Sequence, residues 1–82
     1  MKDQAAEVLK CIDGLLSRAG TDKTRILSAL VFVTDLSEFT LFNEVWDEWV
    51  VKGQAPARAT TQVTKLADPN WKLEIVITAA LP

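Results

Sequence analysis

Apolar residues recur at three- and four-residue steps through the opening stretch of the chain: Ala5, Val8, Leu9, Ile12, Leu15, Leu16 and Ala19. Glu7, Lys10, Asp13, Ser17 and Arg18 fill the opposite side. That spacing is one face of an amphipathic α-helix. Asp3 is placed to cap its amino end, and Gly20 to provide the left-handed carboxy cap after Ala19. Gly14, inside the helix, costs about 1 kcal/mol relative to alanine, so it either permits a close approach or is merely tolerated.

After the polar connection Thr21-Asp22-Lys23-Thr24 the pattern changes. Ile26 to Thr34 contains the unbroken apolar run Ala29-Leu30-Val31-Phe32-Val33, which predicts a central strand covered on both faces. Asp35-Leu36-Ser37 turns the chain, with Ser37 as the expected cap of a second helix from Glu38 to about Val51. Its apolar face is Phe39, Phe42, Val45, Trp46, Trp49 and Val50. Lys52-Gly53 closes that helix and Pro56 prevents its resumption. Arg58 to about Leu66 is rich in β-branched residues and reads as a strand, followed by turn chemistry at Ala67-Asp68-Pro69-Asn70. Trp71, Leu73, Ile75, Ile77 and Ala79 then alternate with Lys72, Glu74, Val76 and Thr78, the clearest strand signal in the chain.

The order is therefore α-β-α-β-β. It predicts an α+β fold in which two helices pack on one face of a small mixed β-sheet, residues 1–82 forming a single domain. A strand-helix-strand crossover from Ile26 to Leu66 would be right-handed, with parallel strands.

Composition narrows the chemistry. At 82 residues the core is expected to be modest, so help from a partner subunit is anticipated. The chain is 49% hydrophobic and 24% charged, and no apolar run approaches the length of a membrane span. Met1-Lys2-Asp3-Gln4 leads into the helical pattern rather than a signal peptide, which predicts a cytoplasmic protein with no membrane partner. The net charge is -2 and the nine lysines and arginines are scattered, which argues against nucleic-acid binding through phosphates. With no histidine and the single cysteine Cys11, a Ser-His-Asp triad, a Cys-His pair and a structural zinc site are excluded. Cys11, at the margin of the helix's apolar face, reads as a small, partly buried hydrophobe.

Carboxylates, lysines, arginines, hydroxyls and backbone remain. Arg58 follows a turn stiffened by Pro56, and its planar fork suits a carboxylate. Glu74 sits between Leu73 and Ile75, where an apolar setting can tune it towards proton transfer. The ordinary readings are a surface arginine in a loop and an outward strand carboxylate paired with Lys72 or Lys65. Alternation in a simple hairpin would turn Arg58 and Glu74 to opposite faces. They would then meet only if Arg58 precedes the regular strand, if the two strands are not hairpin partners, or across a subunit boundary. Asn43 lies at the border of the second helix's buried face, fit either for a cleft or for the surface. The acidic series Glu38, Glu44, Asp47 and Glu48 reads as a solvated helix face rather than a metal cluster.

A series of short motifs runs in one order through nearly the whole chain: Ile12-Asp13-Gly14-Leu15-Leu16, Val31-Phe32-Val33-Thr34-Asp35-Leu36-Ser37-Glu38-Phe39, Asn43-Glu44-Val45-Trp46, Pro56-Ala57-Arg58 and Lys72-Leu73-Glu74-Ile75. The series resembles the Rid (YjgF-like, endoribonuclease L-PSP-like) family. Trp49-Val50-Val51 and Pro69-Asn70-Trp71-Lys72 are especially similar to its YoaB-like branch. The resemblance implies a chorismate-mutase-like fold and a homotrimer with a ligand cleft at each subunit interface. It also implies cofactor-free hydrolysis of small carboxylate-bearing enamines or imines to 2-keto acids and ammonia. Arg58 would hold the substrate carboxylate, Glu74 would position or activate water as the catalytic residue, and Asn43 and Thr60 would line the cleft. An endoribonuclease label attached to some relatives is weakened here by the acidic balance and the lack of histidine.

Thr60 stands where many family members carry cysteine. The family's strands upstream of the first helix, with their tyrosine and serine, have no counterpart in this sequence. The family layout would leave the 71–79 strand as an open edge needing cover, and an altered assembly or a non-catalytic oligomeric binding module is the alternative expectation.

Overall fold

The computed structural model describes residues 1–82. Helix α1 spans Lys2–Arg18 and is followed, after a short 3-10 turn, by strand β1, Ile26–Val33. Helix α2, Phe39–Trp49, leads to strands β2, Ala57–Gln62, and β3, Leu73–Ala79. The sheet order is β2-β1-β3. Strand β1 pairs parallel with β2 and antiparallel with β3. Two helices on one face of a three-stranded mixed sheet are the α+β architecture that the periodicity predicts.

The core lies between the helices and one face of the sheet. Ala5, Leu9, Ile12 and Leu16 of α1 and Phe42 and Trp46 of α2 meet Ala29, Val31 and Val33 of β1 and Leu73 of β3. Only 11 of 82 residues are buried, so the core is as small as the chain length implies. The indole Nε1 of Trp49 donates to Asp13 Oδ2 at 3.0 Å and ties the two helices.

The expectation that β1 is covered on both faces is corrected by the structure. Both helices sit on one side, so the opposite face carries Leu30, 47% exposed, beside Val76, 44% exposed, with nothing over them. The unbroken apolar run marks a central strand whose second face the chain itself leaves uncovered. Several boundaries also shift. Strand β2 ends at Gln62 rather than Leu66 because β1, its only partner, ends opposite it at Val33. Strand β3 begins at Leu73 for the same reason, and α2 stops at Trp49, two residues short of Val51.

The caps are rearranged too. Helix α1 starts at Lys2, so Asp3 lies in its first turn instead of capping it. Asp35 takes the N–H of Ser37, which makes Ser37 part of a 3-10 turn feeding α2 rather than its cap. Gly20 does adopt the left-handed conformation, φ 82.

Strand β3 forms the free edge that the layout argument anticipates. Lys72 O accepts from Thr34 N at 3.1 Å and Ala80 N donates to Arg25 O at 2.9 Å, so this parity of residues faces β1. Leu73, Ile75, Ile77 and Ala79 therefore turn their backbone groups to the open side. Beneath that edge the Gln4 amide clamps the preceding loop, donating to Asn70 O at 2.9 Å and accepting from Lys72 N at 2.8 Å.

Candidate functional site

The side chains of Arg58 and Thr60 emerge on the helix-covered face of β2, because they pair with buried Ala29 and Val31 of β1. Helix α2 passes over that edge and presents Phe39, Phe42, Asn43 and Trp46, spaced i, i+3, i+4 and i+7, as one surface. The guanidinium of Arg58 enters that surface. Its Nη2 donates to Asn43 Oδ1 at 2.8 Å. Its Cζ lies 5.6 Å from the ring centre of Phe39, 5.4 Å from Phe42 and 5.2 Å from Trp46. A cation held over three ring faces is stabilised electrostatically, by about 0.5–2 kcal/mol per contact depending on desolvation.

Burial holds the Arg58 guanidinium below the usual arginine range, and the nearby Asp47 carboxylate opposes that shift. Arginine remains charged under all ordinary conditions, so the site is a partly desolvated positive charge. Two buried polar atoms have no hydrogen-bond partner, Arg58 Nη1 and Thr60 Oγ1. They belong to residues i and i+2 on the same face of one strand, with Cα atoms about 7 Å apart. Buried polar atoms without a partner are uncommon in native proteins, and here two lie side by side beneath α2.

Glu74 lies elsewhere in the chain. It pairs with Phe32 on the uncovered face of β3 and is exposed. Strand β1 separates it from β2, which puts the two strands about 10 Å apart before the change of face is counted. One chain thus brings together Arg58, Asn43 and Thr60, and leaves Glu74 apart from them. Strands β2 and β3 are not hairpin partners, so the simple hairpin is not the arrangement.

Glu44, Asp47 and Glu48 form a solvated face of α2, and Glu38 sits half-buried in the turn before it. Glu44 pairs with Lys2 at 3.0 Å and Glu38 with Lys72 at 3.4 Å. No three metal-type ligands converge anywhere in the chain. The largest concavity, 570 Å³, runs between α1 and the open edge of β3, past Val8, Cys11, Leu15, Trp71 and Ile75, with Glu74 at its rim. It does not include Arg58, so concavity and charge chemistry lie in different places. Cys11 is exposed there, not partly buried as its position on the helix suggests.

The sequence pattern gives Phe39, Phe42 and Trp46 as the apolar face of α2 and does not reveal that they wall the arginine. The signal was available in their spacing, which places Asn43 on the same stripe.

The sequence model of the family described as Endoribonuclease L-PSP matches residues 1–81. The chain belongs to that family, also called Rid or YjgF. Within the Rid family it falls in the YoaB-like branch. It is 49% identical over 78 residues to a RutC family protein of Haemophilus ducreyi, a match covering 95% of this chain and 66% of that relative. To the RutC family protein YoaB of Escherichia coli it is 43% identical over 79 residues, covering 96% and 68% of the two chains. A crystal structure of a YjgF family member from Neisseria meningitidis superposes with a TM-score of 0.92 at 41% identity, covering 95% of this chain and 65% of that one. The chain thus spans about two thirds of the length of these Rid family relatives.

Proposed function

We propose that copies of this chain assemble to hydrolyse reactive 2-imino and enamino acids to 2-keto acids and ammonia. Arg58 holds the substrate carboxylate, Asn43 and Thr60 complete that subsite, and Glu74 of a neighbouring copy directs the water. The observation that carries this reading is the charged guanidinium, half-sunk among three rings, with an unpartnered Nη1 beside an unpartnered Thr60 hydroxyl. Burial partly desolvates the guanidinium, which strengthens its attraction for a carboxylate.

The reaction balances simply. An imine R–C(=NH)–COO⁻ takes up one water, the carbon–nitrogen double bond is replaced by a carbon–oxygen double bond, and ammonia leaves. Glu74 accepts a proton from the attacking water and returns it to the departing nitrogen. A protonated imine is already electrophilic, so orientation, water and a proton carrier suffice without a metal or organic cofactor.

Joining Arg58 to Glu74 requires association, and the uncovered sheet face with Leu30 and Val76 offers an apolar surface for it. A cyclic homotrimer with the β3 edge covered is the arrangement proposed, the 82-residue chain acting as one domain in the cytoplasm without nucleic-acid or membrane partners. No helix is long and apolar enough to cross a membrane.

The test is release of ammonia or 2-keto acid from an enzymatically generated 2-imino acid. Arg58→Ala is expected to lower kcat/KM by about 10- to 100-fold, the loss of a charge-assisted hydrogen bond. Equal rates for the variant and the unaltered chain would remove the assignment. The separation of Arg58 and Glu74 within one chain favours a second reading, an oligomeric binding module without catalysis. In that case the carboxylate binds to Arg58 but the imine is not consumed above its background rate.

A further inference from the structure

We infer that the furrow between α1 and the free edge of β3 is a strand-docking site, and that its occupant is an extended basic segment of another polypeptide, apolar at every second residue, lying beside β3 as one further strand. The inference goes beyond the imine chemistry and stands whether or not the chain is catalytic.

The backbone supplies the template. Strand β3 has β1 on one side and nothing on the other. The outward N–H and C=O groups of Leu73, Ile75, Ile77 and Ala79 form the unpaired row on which an extended peptide can build. The largest concavity of the chain runs along this edge. Its 570 Å³ beside Leu73 and Ile75 continue beside Ile77 and Ala79 into a further 340 Å³, the two parts sharing Ile12, Leu15 and Ile75.

Helix α1 already roofs that space. Ala5, Leu9, Ile12 and Leu16 are buried in the core, but the apolar face continues round the helix to Val8, Leu15 and Ala19, which line the furrow. Leu15 is 57% exposed there. Neighbouring strands lie about 4.8 Å apart, so a strand added outside β3 runs beneath these side chains and covers them. The roof also decides between occupants. A second copy pairing edge to edge brings its own helices into the space beneath α1 or, turned over, presents Glu74 and Thr78 to an apolar furrow rimmed by Glu7. A lone extended segment of about seven residues, the length of β3, carries no such layer.

Charge fixes the chemistry of the segment. Glu7 and Glu74 both line the furrow, are exposed and make no ion pair. No lysine or arginine lines either part of it. Apolar side chains pointing under α1 therefore suit the floor, and lysines between them suit the rim.

The experiment titrates the chain by calorimetry at low salt with the end-capped peptide Lys-Val-Lys-Val-Thr-Val-Thr-Val-Lys. In parallel it follows hydrogen exchange at the Ile75 and Ile77 amides. Saturable binding is expected, with exchange at both amides slowed tenfold or more. Because alternate peptide amides face β3, N-methylation of one alternate set should abolish binding and of the other set should leave it intact. Glutamate in place of each lysine should weaken binding tenfold or more, a difference that shrinks as salt is added. Leu15→Lys should weaken the basic peptide to a similar degree while far-UV circular dichroism shows the chain still folded. Absence of saturable binding, equal effects of the two methylated sets, or equal affinity for the acidic peptide overturns the inference. So does protection of Ile75 and Ile77 before any peptide is added, which would give the edge to a second copy.

Discussion

Glu74 and Arg58 stand on opposite faces of the sheet and on opposite sides of β1. Glu74 pairs with Phe32 on the uncovered face, and Arg58 pairs with Ala29 on the face beneath the helices. Backbone alternation fixes this relation, and no side-chain rotation can undo it. One copy therefore presents a part-buried guanidinium at one edge and a carboxylate at the other, and the proposed ring of copies would bring the edge of one to that of the next.

The uncovered face supplies the first prediction. Leu30 and Val76 are cross-strand neighbours and both are substantially exposed. Leu30→Glu places a charge in the apolar surface proposed for association. It should raise the dissociation constant of the assembly by tenfold or more, at about 1.4 kcal/mol for each factor of ten. Analytical ultracentrifugation together with far-UV circular dichroism checks this: the chain should remain folded while its mass in solution falls. An unchanged mass would mean that copies associate through another face.

Helix α1 supplies the second. A Cβ added at Gly14 would meet nothing within 4 Å, and the residue lies in regular helix. Of the two roles open to this glycine, a close approach is therefore not in use. Gly14→Ala should stabilise the chain by about 1 kcal/mol, read as a higher urea midpoint with unchanged slope. A destabilising result would show that another surface packs against this point in the assembly.

Particular residues show why the fold was legible from the sequence and the site only partly so. The three- and four-residue steps of α1 and the two-residue alternation of β3 are local patterns, and both elements appear where those patterns lie. The strand ends were harder to read. Val63 to Leu66 has strand-like composition, but β2 has one partner, and the ladder stops where Val33 does. Arg58 and Glu74 could be named as chemistry-bearing residues from type alone. That Asn43 and three rings would enclose Arg58 depends on the parallel crossover, which lays α2 over β2, and crossover geometry is not written in any short stretch of sequence.

The third prediction concerns acid. Asp22 is held below the usual aspartate range by hydrogen bonds from the hydroxyl and backbone N–H of Thr24. Asp35 is held low in the same way by Ser37. Because the folded values lie below the unfolded value of about 3.9, the unfolded chain takes up protons first as pH falls. The stabilisation is complete above that unfolded value and is lost as pH drops through the folded ones. Urea midpoints should therefore fall between pH 5 and pH 3, and less steeply in Asp22→Asn with Asp35→Asn. Equal slopes in both chains would assign the acid limb to other carboxylates.

The most direct test of the central claim, that Arg58 of one copy and Glu74 of another form one working site, is to mix two damaged chains. Arg58→Ala and Glu74→Gln are each expected to keep about a tenth or less of wild-type 2-imino acid hydrolysis. If sites form between copies, an equal mixture unfolded and refolded together places both native residues in about a quarter of the sites, and activity returns to about that fraction of wild type. A mixture as inactive as its components, or a Glu74→Gln chain as active as wild type, would contradict the account.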